Sequence, residues 1–402
     1  MKIDAHVHYM PPSLKENLAD FAAREPYWGL LVTPPSIQGW ATPERMIADM
    51  DAAGLDKVVL VGEYFYQHSA CVARNNQAID LINRWPERIM ALATIQPTAG
   101  DTALTELKRC ISAGLVGVGE LNPYTQGYHL DDPNFLRLVE ACIMADLPLN
   151  LHVNEAVGPY YPGKSTTPLR HYYQLARRYP QLKLILAHWG GGLFFYELMP
   201  RVQQDLHNVW YDTAASPLLF PTEKIFRIAI LAIKPHKILF GSDYPLRIYP
   251  QQQKEPEFQT FMTDIAAVGL EEMVYQDIMG GNTARLFGLM GDERAGVLPT
   301  SIRSEGVSTA GEASLASFSD LVQHAQSVDF EENLPDMSVG LVAVTWPQTQ
   351  AVFDQFGIPW QDNPVPIWEP VGQAAAARGM NPTRQKQLLQ ALNEACCASG
   401  EA

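Results

Sequence analysis

Short apolar runs alternate with longer amphipathic segments along the first 290 residues. Each run ends at a turn residue and predicts a buried strand, whereas the segments between the runs carry apolar residues at helical spacing. The predicted strands cover residues 2–5, 57–62, 89–95, 115–121, 147–152, 182–187, 208–213 and 237–242. Helices are predicted near residues 42–54, 73–85, 101–113, 132–146, 166–179, 193–206, 222–234 and 271–289. This alternation predicts either a closed (β/α)₈ barrel or an open doubly wound sheet.

Polar residues at the ends of the strands favour the closed barrel. His6 and His8 are two residues apart on the first strand, so their side chains point to the same face. Single polar residues end four later strands, and these are Glu120, His152, His188 and Asp243. They can converge only if the sheet closes, because an open sheet would spread them along a line. We therefore predict a TIM barrel over residues 1–290, with its site at the C-terminal strand ends.

These residue types indicate a metal centre. Imidazole and carboxylate groups are common ligands of divalent ions, and the His6 and His8 pair can reach one ion together. Each single histidine has the alternative of a hydrogen-bonded core residue, and Asp243 can instead cap the turn at Tyr244. Glu120 either contacts an ion or substrate, or accepts a hydrogen bond from a ligand imidazole.

The composition changes after residue 290. Residues 291–320 are rich in Gly, Ser, Ala and Thr, which predicts a flexible linker. Residues 321–402 contain short helical patterns interrupted by prolines and show no strand alternation. We therefore predict a small C-terminal helical domain.

Charge and composition exclude several classes of partner. The net charge is −15, which repels nucleic acid and anionic lipid. No apolar run reaches the roughly eighteen residues that a membrane span needs. The five cysteines have no zinc-site or disulfide spacing, and no apolar signal segment precedes His6. We expect a cytoplasmic protein with a small-molecule substrate, and homo-oligomerisation stays open.

The motifs as a set resemble the amidohydrolase superfamily. They comprise Asp4-Ala5-His6-Val7-His8, His152, Ala187-His188-Trp189-Gly190-Gly191-Gly192, Gly241-Ser242-Asp243-Tyr244-Pro245 and the closing segment 279–289. The resemblance covers about residues 1–290. Within the superfamily, the motifs more narrowly resemble the amidohydrolase-related branch, which includes enzymes similar to aminocarboxymuconate semialdehyde decarboxylase.

The resemblance implies a divalent ion, commonly zinc, held by His6, His8, His152 and Asp243, with Glu120 beside it. Asp243 and His188 are then the catalytic residues, and a metal-activated water hydrolyses an amide, lactone or ester of a small cyclic or aromatic compound. The same branch contains nonoxidative decarboxylases, so decarboxylation of a small aromatic or muconate-like carboxylate is the alternative. A binding scaffold without turnover is the third hypothesis.

Aromatic and basic residues after the strands predict the substrate contacts. Trp189, Tyr64 and Tyr124 follow strands and suit a flat organic ligand, although loop packing explains such residues equally well. Arg247 follows the eighth strand and can pair with a substrate carboxylate, or it is an ordinary surface cation. The C-terminal segment 339–394 resembles a small helical domain of unknown function. We expect that domain to dock on its own barrel or on a protein partner.

Overall fold

The computed structural model describes residues 1–33, 36–158, 161, 164–289, 339, 342–343, 346–358, 360 and 371–397. The chain divides into two compact units, Met1–Asp292 and Glu293–Ala402. The predicted linker, residues 291–320, lies outside the described residues.

Eight parallel strands form the first unit. They are β1 (Ile3–Val7), β2 (Lys57–Leu60), β3 (Ile89–Ala91), β4 (Val118–Leu121), β5 (Leu149–Leu151), β6 (Leu184–Leu186), β7 (Val209–Asp212) and β8 (Ile238–Leu239). Each overlaps a predicted strand, although all strands from β2 to β8 are shorter than predicted. Their residues are almost all buried, as expected where helices cover the outside of a parallel sheet.

The strands close into a barrel. β1 to β3 pair in chain order, and so do β4 to β8. Two bridges join these groups, Ala93 with Val118 and Val7 with Tyr244. At the second junction the His8 amide donates to the Tyr244 carbonyl at 2.7 Å. The predicted TIM barrel is therefore confirmed, and the open doubly wound sheet is wrong.

Helices follow the strands around the barrel. The α-helices of the first unit are Pro12–Glu16, Leu18–Arg24, Pro26–Val32, Pro43–Ala53, His68–Arg84, Asp101–Ser112, Pro123–Gln126, Pro133–Met144, Leu169–Arg178, Pro200–Asp205, Ser216–Leu219, Thr222–Ala232, Gln259–Ala267, Glu272–Gln276 and Asn282–Leu286. 3₁₀ segments cover Pro97–Ala99, His188–Leu198 and Pro235–Lys237, and a π-helical turn covers Asp277–Gly281. The segment His188–Leu198 contains non-helical backbone at residues 189–192. The helices at 12–32 and 259–267 and the short helices Pro123–Gln126 and Ser216–Leu219 were not predicted from the sequence.

Local sequence sets the limits of these helices. In Pro43–Ala53, the Thr42 hydroxyl oxygen accepts the Arg45 amide at the start, and Gly54 ends the helix with a left-handed φ of 67°. Asp132 caps the helix Pro133–Met144 in the same way, through the Asn134 amide. These caps fix the first turn of both helices, and Gly54 fixes the end of Pro43–Ala53.

The regular elements among the described residues of the second unit are all helices. Its helices are Thr349–Gln355, Val371–Ala377 and Pro382–Cys397. They surround a small apolar core that includes Val342, Phe353, Ile358, Leu388 and Leu392. The predicted small helical domain is confirmed. None of the described helices combines the length and the apolar composition that a bilayer crossing requires.

Candidate metal centre and active site

Six side chains converge at the C-terminal ends of the barrel strands. They are His6, His8, Glu120, His152, His188 and Asp243. All are buried apart from His8, whose side chain is 11% exposed. Strands that are far apart in the chain bring them together, because parallel strands end at the same rim of a closed barrel.

One half of the cluster lies between β1 and β8. His6 Nε2 is 3.2 Å from His8 Nε2, and His8 Nε2 is 3.3 Å from Asp243 Oδ1. His6 Nε2 is 3.9 Å from the same Asp243 oxygen. Three ligand atoms of these residues therefore lie within the span of one coordination sphere.

Glu120 joins this half to the other. Its Oε2 lies 3.8 Å from both His6 Nε2 and His8 Nε2. Its Oε1 is 2.8 Å from His152 Nδ1 and 3.4 Å from His188 Nε2. His152 Nδ1 and His188 Nε2 are themselves 3.2 Å apart. One carboxylate thus faces four imidazole rings.

The outward nitrogen of each ring faces a fixed oxygen. His188 Nδ1 lies 2.9 Å from the Ala214 carbonyl oxygen, which can only accept, so this nitrogen carries the proton. His6 Nδ1 lies 2.9 Å from Asp212 Oδ2. His8 Nδ1 lies 3.2 Å from Glu63 Oε1.

His152 is held in the opposite sense, through Nε2. That nitrogen lies 3.1 Å from Asn154 Oδ1. The same amide oxygen accepts the Ser165 backbone N–H at 2.6 Å, while Asn154 Nδ2 donates to the Tyr161 hydroxyl. The orientation of the Asn154 amide is therefore fixed, and Nε2 of His152 is the donor.

The outer contacts of His6, His152 and His188 leave a lone pair on the inward nitrogen of each of these rings when it is neutral, whereas His8 Nδ1 makes no hydrogen bond among the described residues. The inward nitrogens of His6, His8 and His188 are Nε2, and that of His152 is Nδ1. The inward lone pairs of His152 and His188 face one another at 3.2 Å and repel unless a cation or a proton lies between them. The donor set therefore fits a divalent cation, in the arrangement that metal-binding histidines adopt when their second nitrogen is hydrogen-bonded.

The electrostatics of the cluster favour positive charge. Burial opposes protonation of His188, but the hydrogen bond and charge of Glu120, with Asp243 and Asp212, outweigh it and raise its pKa to about 10. Burial likewise opposes ionisation of Asp243, yet the hydrogen bond from His8 and the nearby imidazoles lower its pKa to about 2. Asp243 and Glu120 are therefore ionised at neutral pH, and they stabilise either a metal ion or a protonated imidazole between them.

Left-handed backbone places two of these side chains. His188 has a φ of 56° and Asp243 a φ of 69°. The left-handed run continues through Trp189 to Gly192. Glycine is required at Gly190, because a Cβ there would lie 2.9 Å from the Tyr211 ring. Backbone strain of this kind is typical of functional sites.

The residues predicted to contact the substrate differ in their exposure and in their contacts. Tyr64 is buried with its ring centroid 5.1 Å from that of His152, whereas Tyr124 is 41% exposed on the short helix after β4. The Arg247 guanidinium donates to the carbonyls of Ser36 and Ile37. Both acceptors are neutral, so these contacts do not compensate its positive charge.

Trp189 is a correction to the sequence analysis. Its side chain is fully buried in the hydrophobic core, with ring contacts to Phe194 and Phe226. The indole N–H donates to the Ser216 hydroxyl at 2.9 Å. The left-handed turn directs this side chain into packing behind the strand, so we do not assign Trp189 to substrate binding.

Sequence reasoning missed the residues that hold the imidazoles. Asp212 ends β7, Glu63 follows β2 and Asn154 follows β5. The available signal was the same as for the candidate ligands, namely a polar residue at the end of an apolar strand. Asp212 in particular stands at the one late strand end where no candidate was named.

The closed barrel and the buried donor cluster at its rim define the class of (β/α)₈-barrel enzymes. Residues 3–289 match the family described as amidohydrolase, and the chain belongs to that family. The predicted resemblance to the amidohydrolase-related branch is confirmed.

Two curated relatives match over most of their length. A 2-amino-3-carboxymuconate-6-semialdehyde decarboxylase of Dictyostelium discoideum is 23% identical over 296 residues, covering 65% of this chain and 72% of the relative. A 4-sulfomuconolactone hydrolase of Rhizobium radiobacter is 23% identical over 304 residues, covering 71% and 90%. Relatives of this chain therefore include both a decarboxylase and a hydrolase.

A solved structure supports the fold. The 5-carboxyvanillate decarboxylase of Sphingomonas paucimobilis superposes with a TM-score of 0.57 at 18% identity, over 72% of this chain and 99% of that one. The similarity covers a share of the chain close to that of the barrel unit.

Proposed function

We propose that the barrel binds one divalent cation and catalyses the nonoxidative decarboxylation of a small aromatic or muconate-like carboxylate. The observation that carries the metal site is the convergence of four imidazole rings and the carboxylates of Glu120 and Asp243 in one buried cluster. His6, His8, His152 and Asp243 are the proposed ligands, with Glu120 between them.

The donor set accepts more than one metal. Three nitrogens and one carboxylate suit Zn²⁺, and Glu120 adds oxygen atoms that Mn²⁺ also accepts. A solved dihydroxybenzoic acid decarboxylase from Polaromonas, 20% identical to this chain, contains manganese with the inhibitor 2-nitroresorcinol. We therefore propose zinc or manganese, where the sequence favoured zinc.

A bound divalent cation would supply positive charge that holds an anionic substrate and stabilises negative charge during the reaction. In decarboxylation the bond between the carboxylate and its neighbouring carbon breaks, carbon dioxide leaves, and that carbon takes up a proton. His188 Nε2 and Asp243 both face the cluster interior, so either can carry this proton. The Arg247 guanidinium donates to two neutral carbonyl groups, which do not compensate its positive charge. It is the proposed binding partner of the substrate carboxylate. Tyr64 and Tyr124 are the proposed aromatic contacts.

Hydrolysis, the first expectation from the sequence, is the second candidate. It is favoured by the sulfomuconolactone hydrolase, because 90% of that relative's length is matched. In this reaction Asp243 accepts a proton from water and later passes it to the leaving group. Decarboxylation takes precedence because the similar solved structures named above and the muconate-semialdehyde relative are decarboxylases.

One experiment separates the two reactions. Purified protein is stripped of metal, loaded with Zn²⁺ or Mn²⁺, and incubated with hydroxybenzoates, muconate-type acids and muconolactones. We expect metal-dependent release of carbon dioxide from a carboxylate. Acid release from a lactone without carbon dioxide would support hydrolysis instead. A protein that binds neither ion would contradict both reactions.

A further inference from the structure

We propose that Asp212 is a positioning residue that fixes the tautomer of His6 and the backbone of His188 with a single carboxylate. This inference rests on the proposed function, because it assigns His6 to the metal. Asp212 ends β7 and is fully buried. It is not one of the proposed metal ligands, and it contacts the outward nitrogen of His6 and the backbone N–H of His188.

The surroundings of the Asp212 carboxylate determine which ring nitrogen of His6 carries the proton. Asp212 Oδ1 accepts the backbone N–H groups of His188 at 3.0 Å and Ala214 at 3.1 Å. Asp212 Oδ2 accepts from Asn150 Nδ2 at 3.4 Å and lies 2.9 Å from His6 Nδ1. Three of these four neighbours are N–H donors, so the carboxyl group is an acceptor towards all four. His6 therefore carries its proton on Nδ1, and its Nε2 lone pair faces His8 and the cluster.

The same carboxylate holds His188. Its backbone N–H bonds Asp212 Oδ1, and its Nδ1–H bonds the carbonyl of Ala214, two residues further along the same strand end. Two hydrogen bonds to one short segment thus fix both the backbone and the ring of a residue whose φ is 56°. Asp212 couples the first strand to the residue after the sixth, and neither histidine can turn without breaking a bond to this segment.

Replacing the carboxylate with an amide gives a sharp test. In Asp212→Asn, the amide oxygen must face the two backbone N–H groups, because an NH₂ group there would meet two donors. The new NH₂ group then faces His6 Nδ1 and forces it to accept, which moves the ring proton to Nε2. Asn150 can follow by rotating its amide, since its Oδ1 has no hydrogen-bond partner among the described residues. The isosteric variant therefore turns an N–H of His6 towards the metal position.

Asp4 provides a matched control. It is also fully buried, and its Oδ1 accepts the backbone N–H groups of His6 at 3.0 Å and Ser242 at 3.1 Å. These contacts join the first strand, which Asp212 also contacts, to the end of the eighth strand, and they involve no imidazole nitrogen. Asp4→Asn therefore tests the effect of losing a buried carboxylate in this part of the barrel without a change of tautomer.

The first measurement needs no bound ion. Protein labelled with ¹⁵N-histidine and stripped of metal is studied by NMR at a pH that deprotonates the ring, and His6 is assigned with a His6→Gln variant. We expect the Nδ1–H tautomer in the natural protein and in Asp4→Asn, and the Nε2–H tautomer in Asp212→Asn. An Nε2–H tautomer in the natural protein would overturn the proposal, even if Asp212→Asn failed to fold.

The second measurement is metal affinity. Competition with a chelating dye gives the Kd for Zn²⁺ and Mn²⁺, and we expect Asp212→Asn to bind at least about tenfold more weakly, against a smaller loss in Asp4→Asn. Equal losses in the two variants would reduce Asp212 to a structural residue. If the natural protein binds no ion but shows the expected tautomers, the proposed function fails while the role of Asp212 stands.

Discussion

Metal binding should become weaker as the pH falls, because protons compete for the same nitrogens. Burial opposes protonation of His6 and His8, but nearby carboxylates outweigh it and raise both pKa values, that of His8 well above its usual range. The first partner of His6 is Asp212 and that of His8 is Glu63. Below their raised pKa values both rings hold a proton that an ion must displace.

The size of the effect follows from the number of displaced protons. Asp243, with a pKa of about 2, and Glu120, whose pKa is lowered well below its usual value, are already ionised from pH 6 to 8 and release nothing. One proton from each of His6 and His8 gives about 2.7 kcal/mol per pH unit, or roughly a hundredfold change in Kd. The affinity should therefore rise steeply with pH as long as the pH is below the raised pKa values of both rings.

Isothermal titration with Zn²⁺, in buffers that differ in ionisation enthalpy, counts the released protons directly. We expect about two per ion at pH 6, which is below the raised pKa values of both rings. His207→Gln is the matched control, since His207 is exposed and lies in the turn after the helix Pro200–Asp205, so its removal should leave the count unchanged. A count near zero would refute the assignment of protonated imidazoles at this site.

Two further predictions concern the reaction and the fold. Asp243→Asn should lower kcat by about 10²–10⁴ if the carboxylate transfers a proton, while metal content changes less; equal losses of rate and metal would make Asp243 chiefly a ligand. Gly190→Ala should lower the free energy of unfolding by about 1–3 kcal/mol in urea titrations, because its Cβ would contact Tyr211. Gly54→Ala is the control, since it has a similar φ and an uncrowded Cβ position; equal losses would contradict the crowding argument.

The barrel could be predicted because the alternation of strands and helices is visible in short stretches of the sequence. Two histidines at i and i+2 must share a face, and every parallel strand of a closed barrel ends at one rim. The sequence alone therefore predicted that His6, His8 and Asp243 lie close together. Glu120 was found by the same reasoning, although its contact with four rings depends on barrel curvature that no local pattern contains.

The groups that orient the rings escaped prediction for physical reasons. The acceptor for His188 is the Ala214 backbone carbonyl, which every residue possesses and which therefore leaves no mark in the sequence. Trp189 was misplaced because the direction of its side chain depends on a left-handed backbone. The three glycines after it signalled unusual backbone, but they did not reveal which way the neighbouring side chain would turn.

Closure of the barrel also has a consequence for biosynthesis. The Asp243 amide donates to the His6 carbonyl at 3.0 Å, so the first and the last strand meet at the candidate centre. A nascent chain leaving the ribosome exposes both N-terminal histidines long before the residue that completes their surroundings has been translated. Cofactor capture should thus be one of the final events of maturation, and prematurely terminated polypeptides would compete poorly for scarce cellular metal.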